Sequence, residues 1–416
     1  MSGFDNNIPI ARPISSSSSS SSSLSSSSII CKDSNNGKGL FINCDVKPGR
    51  IVIEEEPIIG WTERKYSMST CIYCYHFNDN NNNNNEICEA CNRVCWCSLE
   101  CKQKSLIYHT SNICYILAEG LINLNPNDDL ILQLCVGLIS LEENGRNDLI
   151  DKFMNQNGDS VDIDENEGSG CQKVCQLLND NGYPNITIEW IRTVFKKDKA
   201  CGFAVMLPPT KRSDMVDNDS IEGDDNDNEY NNNDYDEEEE EEEGMIRGYG
   251  VYPTLGLTNH SCIPNCIRWD NADVASGTIH PNDRRKMCYR ALIPIPRGTE
   301  LFQSYVPLPW DYEERQSYLK EMFGFTCNCK RCEVEKYEYD IEMENRPSTA
   351  PPSEIDEQYI SMYLLRHLCP QKSCAGTLTP ILDYENVVPD LSKFECNVCG
   401  FQRTNLEFRQ LLEGLH

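Results

Sequence analysis

The sequence has no long apolar run. Its longest apolar stretch, around residues 130–139, is well short of the roughly 20 residues that a membrane-spanning helix needs. Near its start there is also no basic segment followed by an apolar run, which a secretory leader requires. We therefore expect a soluble, intracellular protein without a membrane partner, located in the nucleus, the cytoplasm or both.

Basic residues are scarce, since 37 Lys and Arg stand against 66 Asp and Glu, for a net charge of −29. Seventeen of the acidic residues lie in the segment 214–243, which contains no basic residue, so the remaining chain is only mildly acidic. Without a basic patch to neutralise phosphates, direct nucleic-acid binding is disfavoured. The acidic block either solvates a loop or attracts basic proteins such as histone tails.

Three low-complexity stretches are too polar to bury enough surface to offset chain entropy. They are the Ser run 15–23, the Asn run 80–85 and the acidic stretch 213–243. We expect a disordered leader over 1–29 and a disordered acidic insertion over 211–244. The remaining length, in a chain that is 39% hydrophobic, can build two to four folded units.

Cysteine, in contrast, is abundant at 24 residues. In a reducing compartment these cysteines are expected to be metal ligands and free thiols rather than disulfides. Eight potential ligands with paired spacing, enough for two tetrahedral zinc sites, fall within 71–114, a segment too poor in apolar residues to fold without metal. They are Cys71, Cys74, Cys88, Cys91, Cys97, Cys101, His109 and Cys114. Cys95 is a spare thiol or an alternative ligand.

Two further cysteine groups follow near the end of the chain. The first has three members, Cys327, Cys329 and Cys332, which need a fourth ligand from elsewhere in the chain. The second resembles the two knuckles of a zinc ribbon, although four reduced surface cysteines would be the simpler interpretation. Its members are Cys369, Cys374, Cys396 and Cys399.

Four motifs follow one another in an informative order. Segment 36–41 reads Asn-Gly-Lys-Gly-Leu-Phe, segment 257–267 contains Asn-His-Ser-Cys, and segment 300–305 reads Glu-Leu-Phe-Gln-Ser-Tyr, ahead of the cysteine triplet. Alternating Ile and Val after a Pro-Gly turn predict a hairpin over 46–57. Singly, these motifs could be turns or core aromatics. Their order and spacing together favour a functional site.

In these motifs the chain resembles the SET and MYND domain family of protein lysine methyltransferases, in which a MYND zinc finger interrupts a SET fold. The resemblance covers about residues 30–335 and implies an α+β fold of small sheets. Apolar spacing at 116–139 and 171–178 also predicts helices in the insertion, and further helices are expected near 311–322 and 406–412. The implied units are 1–29 as leader, 30–70 as first SET part, 71–114 as MYND finger, 115–190 as helical insertion, 191–323 as second SET part, 324–340 as post-SET segment and 341–416 as zinc-ribbon-like segment.

The resemblance also implies how the zinc ligands divide. One MYND zinc would take Cys71, Cys74, Cys97 and Cys101, and the other Cys88, Cys91, His109 and Cys114. Four residues separate His109 from Cys114, where the family usually has three. Cys262 would complete the post-SET site with Cys327, Cys329 and Cys332, and Cys266 would not be a ligand.

The implied cofactor is S-adenosylmethionine, and Tyr305 is the implied catalytic residue. The glycines of the first motif allow the close backbone approach that a loop around the methionine moiety needs. Alignment of the methyl group with a neutral, desolvated lysine would supply most of the rate, and the zincs would be structural. The implied cofactor-binding residues are Gly37, Lys38, Gly39, Asn259, His260, Tyr305 and Phe325.

Three features depart from the family pattern. Cys201-Gly202-Phe203 stands where an Asn-x-Phe segment is common, so we expect weaker cofactor binding. Phe323 stands where a Tyr is frequent, which would change the degree of methylation. About eighty residues follow the post-SET triplet, so the resemblance is to a short branch without the long C-terminal helical domain.

Two functions are therefore in view. The first is a monomeric enzyme that methylates lysine in a histone or another basic protein. The second is an interaction scaffold or transcriptional corepressor, in which the MYND finger binds Pro-rich peptides and the SET core is weak or inactive.

Overall fold

A computed structural model describes residues 29–34, 37–78, 85–156, 163–207, 246–270, 284–343, 351–372, 374–383 and 388–414. Most of the predicted leader 1–29, most of the Asn run 80–85 and the acidic insertion 211–244 lie outside these residues. The division into seven units remains a prediction.

The described residues form short strands and ten helices, so the predicted α+β class is confirmed. The strands are β1 (Ile29–Ser34), β2 (Gly37–Ile42), β3 (Ile51–Glu55), β4 (Gly60–Thr62), β5 (Glu86–Ile87), β6 (Cys95–Trp96), β7 (Gly202–Met206), β8 (Ile246–Val251), β9 (Asn259–His260), β10 (Cys266–Asp270), β11 (Met287–Ala291), β12 (Phe302–Gln303), β13 (Leu378–Asp383), β14 (Val388–Cys396) and β15 (Gln402–Thr404). The helices are α1 (Leu99–Ser105), α2 (Ser111–Asn123), α3 (Pro126–Glu143), α4 (Asn147–Met154), α5 (Glu165–Asp180), α6 (Ile188–Cys201), α7 (Tyr312–Phe323), α8 (Lys330–Glu342), α9 (Glu354–His367) and α10 (Asn405–Gly414).

The strands form six small sheets among the described residues: β1-β2, β10-β11-β3, β12-β9, β13-β14-β15, β4-β8-β7 and β5-β6. All pairs are antiparallel except β9 with β12, which run parallel. Parallel neighbours need a long connection, and here about forty residues separate the two strands. This pair therefore joins two distant sequence motifs.

The hairpin predicted over 46–57 is wrong. Residues Ile51–Glu55 do form a strand, but its partner is β11, with Glu55 opposite Met287. Val46 likewise bridges to Ile295. Three consecutive residues of β3 are buried, so the strand belongs to a core sheet. Pairing with β11 stabilises it more than pairing across a local turn would.

The predicted helical insertion 115–190 contains α3 to α5 and most of α2, whereas α6 begins at its end and runs on to Cys201. Helix α3 begins with Pro126 in its first turn and with Asn125 as N-cap, whose side chain accepts a hydrogen bond from the N–H of Asp128. Helix α5 begins with a capping box of Asp164 and Glu167. The helices pack with the predicted finger segment 71–114 and with sheet β4-β8-β7 into one apolar core.

A second core lies beneath the remaining motifs. It includes Leu40 of β2, Val52 of β3, Tyr289 of β11 and Leu301, all nearly inaccessible to solvent. Packing between these strands brings the ends of β2, β9 and β12 together. None of the helices that the structure describes has the length and apolarity needed to cross a bilayer.

Candidate active site and cysteine clusters

The parallel pair of β9 and β12 positions the central motif. Asn259 pairs with Phe302 and His260 with Gln303, and the N–H of Ser261 donates to the carbonyl of Gln303 at 2.9 Å. Tyr305 follows two residues after β12. Two motifs forty residues apart thereby reach the same edge of one small sheet.

His260 is held in one tautomer by its neighbours. The N–H of Tyr305 donates to Nδ1 of His260 at 2.9 Å, so Nδ1 carries no proton. Nε2 lies 3.2 Å from the sulfur of Cys262 and carries the proton of the neutral ring. Burial lowers the pKa of His260, which keeps the ring neutral near physiological pH. His260 thus links Tyr305 to a cysteine of the predicted post-SET site.

Tyr305 stands among aromatic rings. Its hydroxyl donates to the carbonyl of Thr258 at 2.8 Å, and its ring centroid lies 4.8 Å from that of Phe323 and 5.2 Å from that of His260. Phe325 lies 5.9 Å from His260 and 6.3 Å from Tyr305. Tyr305 and both phenylalanines are half-buried, so this aromatic wall is accessible to a ligand.

Helix α7 explains how the two phenylalanines reach Tyr305. A capping box of Asp311 and Glu314 starts the helix, and Gly324 ends it in the left-handed conformation, with φ of 73°. Phe323 is therefore the last helical residue, and Phe325 lies just beyond the turn. The turn places both rings on the same side of Tyr305.

Polar groups meet beside the aromatic wall. The side-chain amide of Asn259 donates to Glu300 Oε1 at 2.6 Å and to the carbonyl of Lys38 at 3.2 Å. A Cβ on Gly39 would lie 2.2 Å from Glu300 Oε1 and 3.0 Å from the Asn259 amide. Gly39 is therefore required for the close approach of β2 to these side chains.

This geometry corrects one expectation and adds one residue. Gly37, Lys38 and Gly39 lie on strand β2, paired with β1, rather than in a loop. The sequence interpretation missed Glu300, although it opens the motif that contains Tyr305. Its other carboxylate oxygen accepts a hydrogen bond from the hydroxyl of Ser34 at 2.9 Å.

Asn265 is a second residue that sequence reasoning missed. Its amide donates to the carbonyl of Glu300 at 2.7 Å, and its side-chain oxygen accepts from the N–H of Phe302 at 2.9 Å. Asn265 thereby fixes the segment after β9 to the start of β12.

Cys201, where the family pattern has an Asn, is turned into the protein. It is the last residue of α6, fully buried, and its thiol donates to the carbonyl of Lys197 at 3.4 Å. A Cβ on Gly256 would lie 2.5 Å from the Cβ of Cys201, so the chain is tightly packed at this point. The expected loss of cofactor affinity remains a prediction.

The structure brings together each of the four predicted ligand groups, with their metal-binding atoms within 4.8 Å of one another. Sulfur atoms around tetrahedral zinc, each about 2.3 Å from the metal, lie about 3.8 Å apart. Measured separations include 3.5 Å for Cys74 and Cys97, 3.6 Å for Cys88 and Cys114, and 3.5 Å for Cys262 and Cys332. The groups are Cys71, Cys74, Cys97 and Cys101; Cys88, Cys91, His109 and Cys114; Cys262, Cys327, Cys329 and Cys332; and Cys369, Cys374, Cys396 and Cys399.

Two cysteines next to these groups have other partners. The thiol of Cys95 donates to the carbonyl of Thr70 at 3.2 Å, and that of Cys266 to the carbonyl of Phe302 at 3.3 Å. Burial raises the pKa of Cys95 to about 12, which favours the neutral thiol.

Side chains of α7 support the third group. Arg315 is fully buried, and its Nε lies 3.3 Å from the sulfur of Cys262, while the amide of Gln316 donates to the sulfur of Cys332 at 3.2 Å. Such donors stabilise thiolates and orient metal ligands. Helix α7 therefore contacts the third cysteine group and also contributes Phe323 to the aromatic wall.

Comparisons with known proteins identify a family. The model of the family described as "SET domain" matches residues 37–306. Histone-lysine N-methyltransferase ASHR2 of Arabidopsis thaliana is 24% identical over 432 residues, covering 89% of this chain and 94% of that protein. A SET and MYND domain-containing protein of Dictyostelium discoideum is 23% identical over 403 residues, covering 87% and 93%. A crystal structure of the SET domain of LSMT, bound to lysine and AdoHcy, aligns with 73% of this chain and 54% of that one at 11% identity and a TM-score of 0.28.

Proposed function

The chain belongs to the SET domain family, and from this premise we propose that it is an S-adenosylmethionine-dependent protein-lysine N-methyltransferase acting on a histone or another basic protein. One observation carries the proposal. Tyr305, fixed by Thr258 and His260, faces two further half-buried rings beside the polar group of Asn259, Glu300 and Gly39. The relatives named histone-lysine N-methyltransferases support the substrate class.

The residues of this site fit S-adenosylmethionine. The Glu300 carboxylate and the Lys38 carbonyl, both oriented by the Asn259 amide, have further lone pairs that can accept from the ammonium of an amino acid group. The half-buried ring of Phe325 offers a flat face for an adenine. When bound, the cofactor supplies a methyl group on a positively charged sulfur.

The aromatic wall would hold the lysine. The rings of Tyr305 and Phe323 attract an ammonium group and exclude water from its stem, while Phe325 faces the adenine. Removal from water lowers the pKa of a lysine, so that its amine can lose a proton and attack. The two hydrogen bonds that fix Tyr305 keep its hydroxyl in place beside that amine, and alignment of this kind accounts for large rate effects.

The first three cysteine groups would be structural zinc sites, two in a MYND finger and one in a post-SET segment. Each offers four Cys or His ligands, which leaves no open coordination position for catalysis. The third would stabilise the segment after β9 through Cys262. In this proposal the chain is a short-branch relative of the SET and MYND domain family.

The finger supports a second activity, the binding of Pro-rich peptides. Leu99, Leu106 and Tyr115 on and near this finger are 66%, 53% and 56% exposed. Exposed apolar and aromatic side chains of this kind suit polyproline recognition. If the catalytic core is weak, this surface would be the main function, in a monomeric scaffold of the nucleus or cytoplasm.

Methyl transfer to mixed core histones tests the enzyme. Tyr305→Phe keeps the ring and removes the hydroxyl, so we expect the transfer rate to fall about 100-fold while cofactor binding stays nearly unchanged. Tyr359→Phe, at an exposed tyrosine of α9, is the matched control and should retain the wild-type rate. Equal rates for Tyr305→Phe and wild type would contradict the proposed role, and no transfer by wild type to core histones or protamine would favour the scaffold.

A further inference from the structure

The fourth cysteine group lies in the C-terminal sheet, outside the active site. Sulfur separations are 3.5 Å for Cys369 and Cys399 and 3.7 Å for Cys374 and Cys396. These values match the edge of about 3.8 Å expected for a tetrahedral zinc-thiolate site. Cys369 and Cys374 precede β13, whereas Cys396 ends β14 and Cys399 lies in the turn after it. One metal ion would therefore join the two ends of the segment.

The backbone around Cys396 is shaped to receive its sulfur. The N–H groups of Val398 and Cys399 point to the Cys396 sulfur at 3.3 and 3.4 Å. Hydrogen bonds of this kind stabilise a thiolate more than a neutral thiol. A Cβ on Gly376 would lie 2.3 Å from the same sulfur, so only glycine leaves room for it.

The apolar core of this sheet is small. Among the described residues its buried members are Leu378, Phe394 and Cys396. So few buried apolar side chains cannot stabilise three strands against chain entropy, which is the situation in which a structural metal is needed.

We propose that the C-terminal cysteine group is a fourth structural zinc site, and that it holds Tyr363 as a positioning residue against the segment between β9 and β10. The effect on cofactor binding rests on the proposed function above. The metal site and the attachment of that segment do not.

Helix α9 connects the sheet to Tyr363. Arg403 of β15 donates to the carbonyls of Leu365 and Arg366 at the end of the helix. His367 is buried, and because a carbonyl only accepts, its Nδ1 donates to the carbonyl of Leu378 at 2.8 Å. Loss of the metal would loosen β13 to β15 and with them the end of α9.

Tyr363 contacts the active-site segment directly. Its hydroxyl donates to the carbonyl of Pro264 at 2.6 Å, and its buried ring packs with Ile267, Leu292 and Leu308. Pro264 lies between Cys262, a ligand of the predicted post-SET site, and Asn265, which fixes Glu300 and β12. The third cysteine group therefore holds this segment at Cys262. Helix α9, which is attached to the fourth group, holds it at Pro264.

Two direct contacts join the same sheet to the central strands. Asn397, next to Cys396, donates to the carbonyl of Arg268 in β10 at 3.4 Å. Arg290 of β11, also buried, donates to the carbonyl of Pro380. Pro380 lies within β13 and Asn397 directly after β14. The positions of both residues therefore depend on the fourth cysteine group.

Zinc counting by plasma mass spectrometry tests the metal site on the full chain. We expect four zinc per chain in the wild type, one for each cysteine group, and three in Cys396→Ser. Cys31→Ser, at an exposed cysteine of β1, is the control and should keep four. Equal zinc content in Cys396→Ser and in the wild type would overturn the site.

Tyr363→Phe tests the positioning role without touching a cysteine. It removes one hydroxyl and leaves a buried carbonyl unpaired, so amide exchange over 259–267 should speed up about three- to tenfold and S-adenosylmethionine should bind weaker by a similar factor. Zinc content should stay at four. Tyr359→Phe, at an exposed tyrosine one turn earlier in α9, should change none of these.

Unchanged exchange over 259–267 in Tyr363→Phe would overturn the positioning role. If the wild type binds no S-adenosylmethionine, the proposed enzyme fails, but zinc counts and exchange rates still decide this inference. The two failures are therefore distinguishable.

Discussion

Gly39 shows how much of the site depends on one missing side chain. Strand β2 passes so close to Asn259 and Glu300 that a methyl group has no room unless the carboxylate moves. Glu300 is also held by Ser34 and, through its backbone, by Asn265. A shift of Glu300 would consequently disturb several partners at once.

Gly39→Ala should therefore weaken S-adenosylmethionine binding by about 1–3 kcal/mol, which is the usual range for overpacking at a tightly filled position. Isothermal titration measures this change directly. Gly168→Ala, in helix α5, is the matched control. Its added methyl would lie 3.6 Å from the guanidinium of Arg192, which is an ordinary van der Waals contact. A binding constant for Gly39→Ala equal to that of the control would contradict the role given to this approach.

At the scale of elements, a buried ion pair fixes the proposed zinc finger, residues 71–114, to helix α3. Arg93 lies between ligands of the two finger groups, and its guanidinium contacts Asp129 Oδ2 at 2.7 Å, with both side chains fully inaccessible. Arg93 also donates to the carbonyl of Thr62 in β4, and Gln133 donates to the same Asp129 oxygen at 3.1 Å. Finger, insertion and sheet β4-β8-β7 therefore meet at one carboxylate.

Asp129→Asn should lower the free energy of unfolding by about 3–5 kcal/mol, because it leaves the Arg93 charge buried without a counter-charge. Urea unfolding followed by circular dichroism measures the loss. Glu86→Gln is the control, since its pair with Lys102 is 35–50% exposed and such surface pairs contribute at most about 1 kcal/mol. A loss no larger than that of the control would show that the ion pair does not hold the finger in place.

At the scale of the whole molecule, the sequence predicted best what local spacing encodes. The cysteine ligands were predictable because pairs such as Cys71 and Cys74 carry zinc-binding spacing locally, whereas their division into groups, with Cys262 in the third, came from the family resemblance. The insertion helices were predictable from apolar periodicity. The helix near 311–322 also has local signals, namely the capping box of Asp311 and the terminating Gly324.

Long-range contacts had no such signal. Nothing near β3 indicates that its partner is β11, because strand pairing depends on which apolar faces meet in the finished core. Tyr363 and Arg290 belong to no motif, and their roles follow only from where the C-terminal sheet docks. Glu300 was missed for a different reason, since its motif was recognised but its contact with Asn259 requires β9 beside β12.

The central claim is that His260, Asn259 and Tyr305 form a working S-adenosylmethionine site. Titration of the zinc-loaded protein with S-adenosylmethionine, compared with the His260→Ala variant, tests it most directly. His76→Ala, at a finger histidine outside the four ligand groups, is the matched control, and unchanged zinc content with unchanged circular dichroism shows that each variant is folded. We predict a dissociation constant on the order of micromolar for wild type and control, and no detectable binding for His260→Ala. Absence of binding to folded wild type, or equal binding by His260→Ala, would contradict the claim.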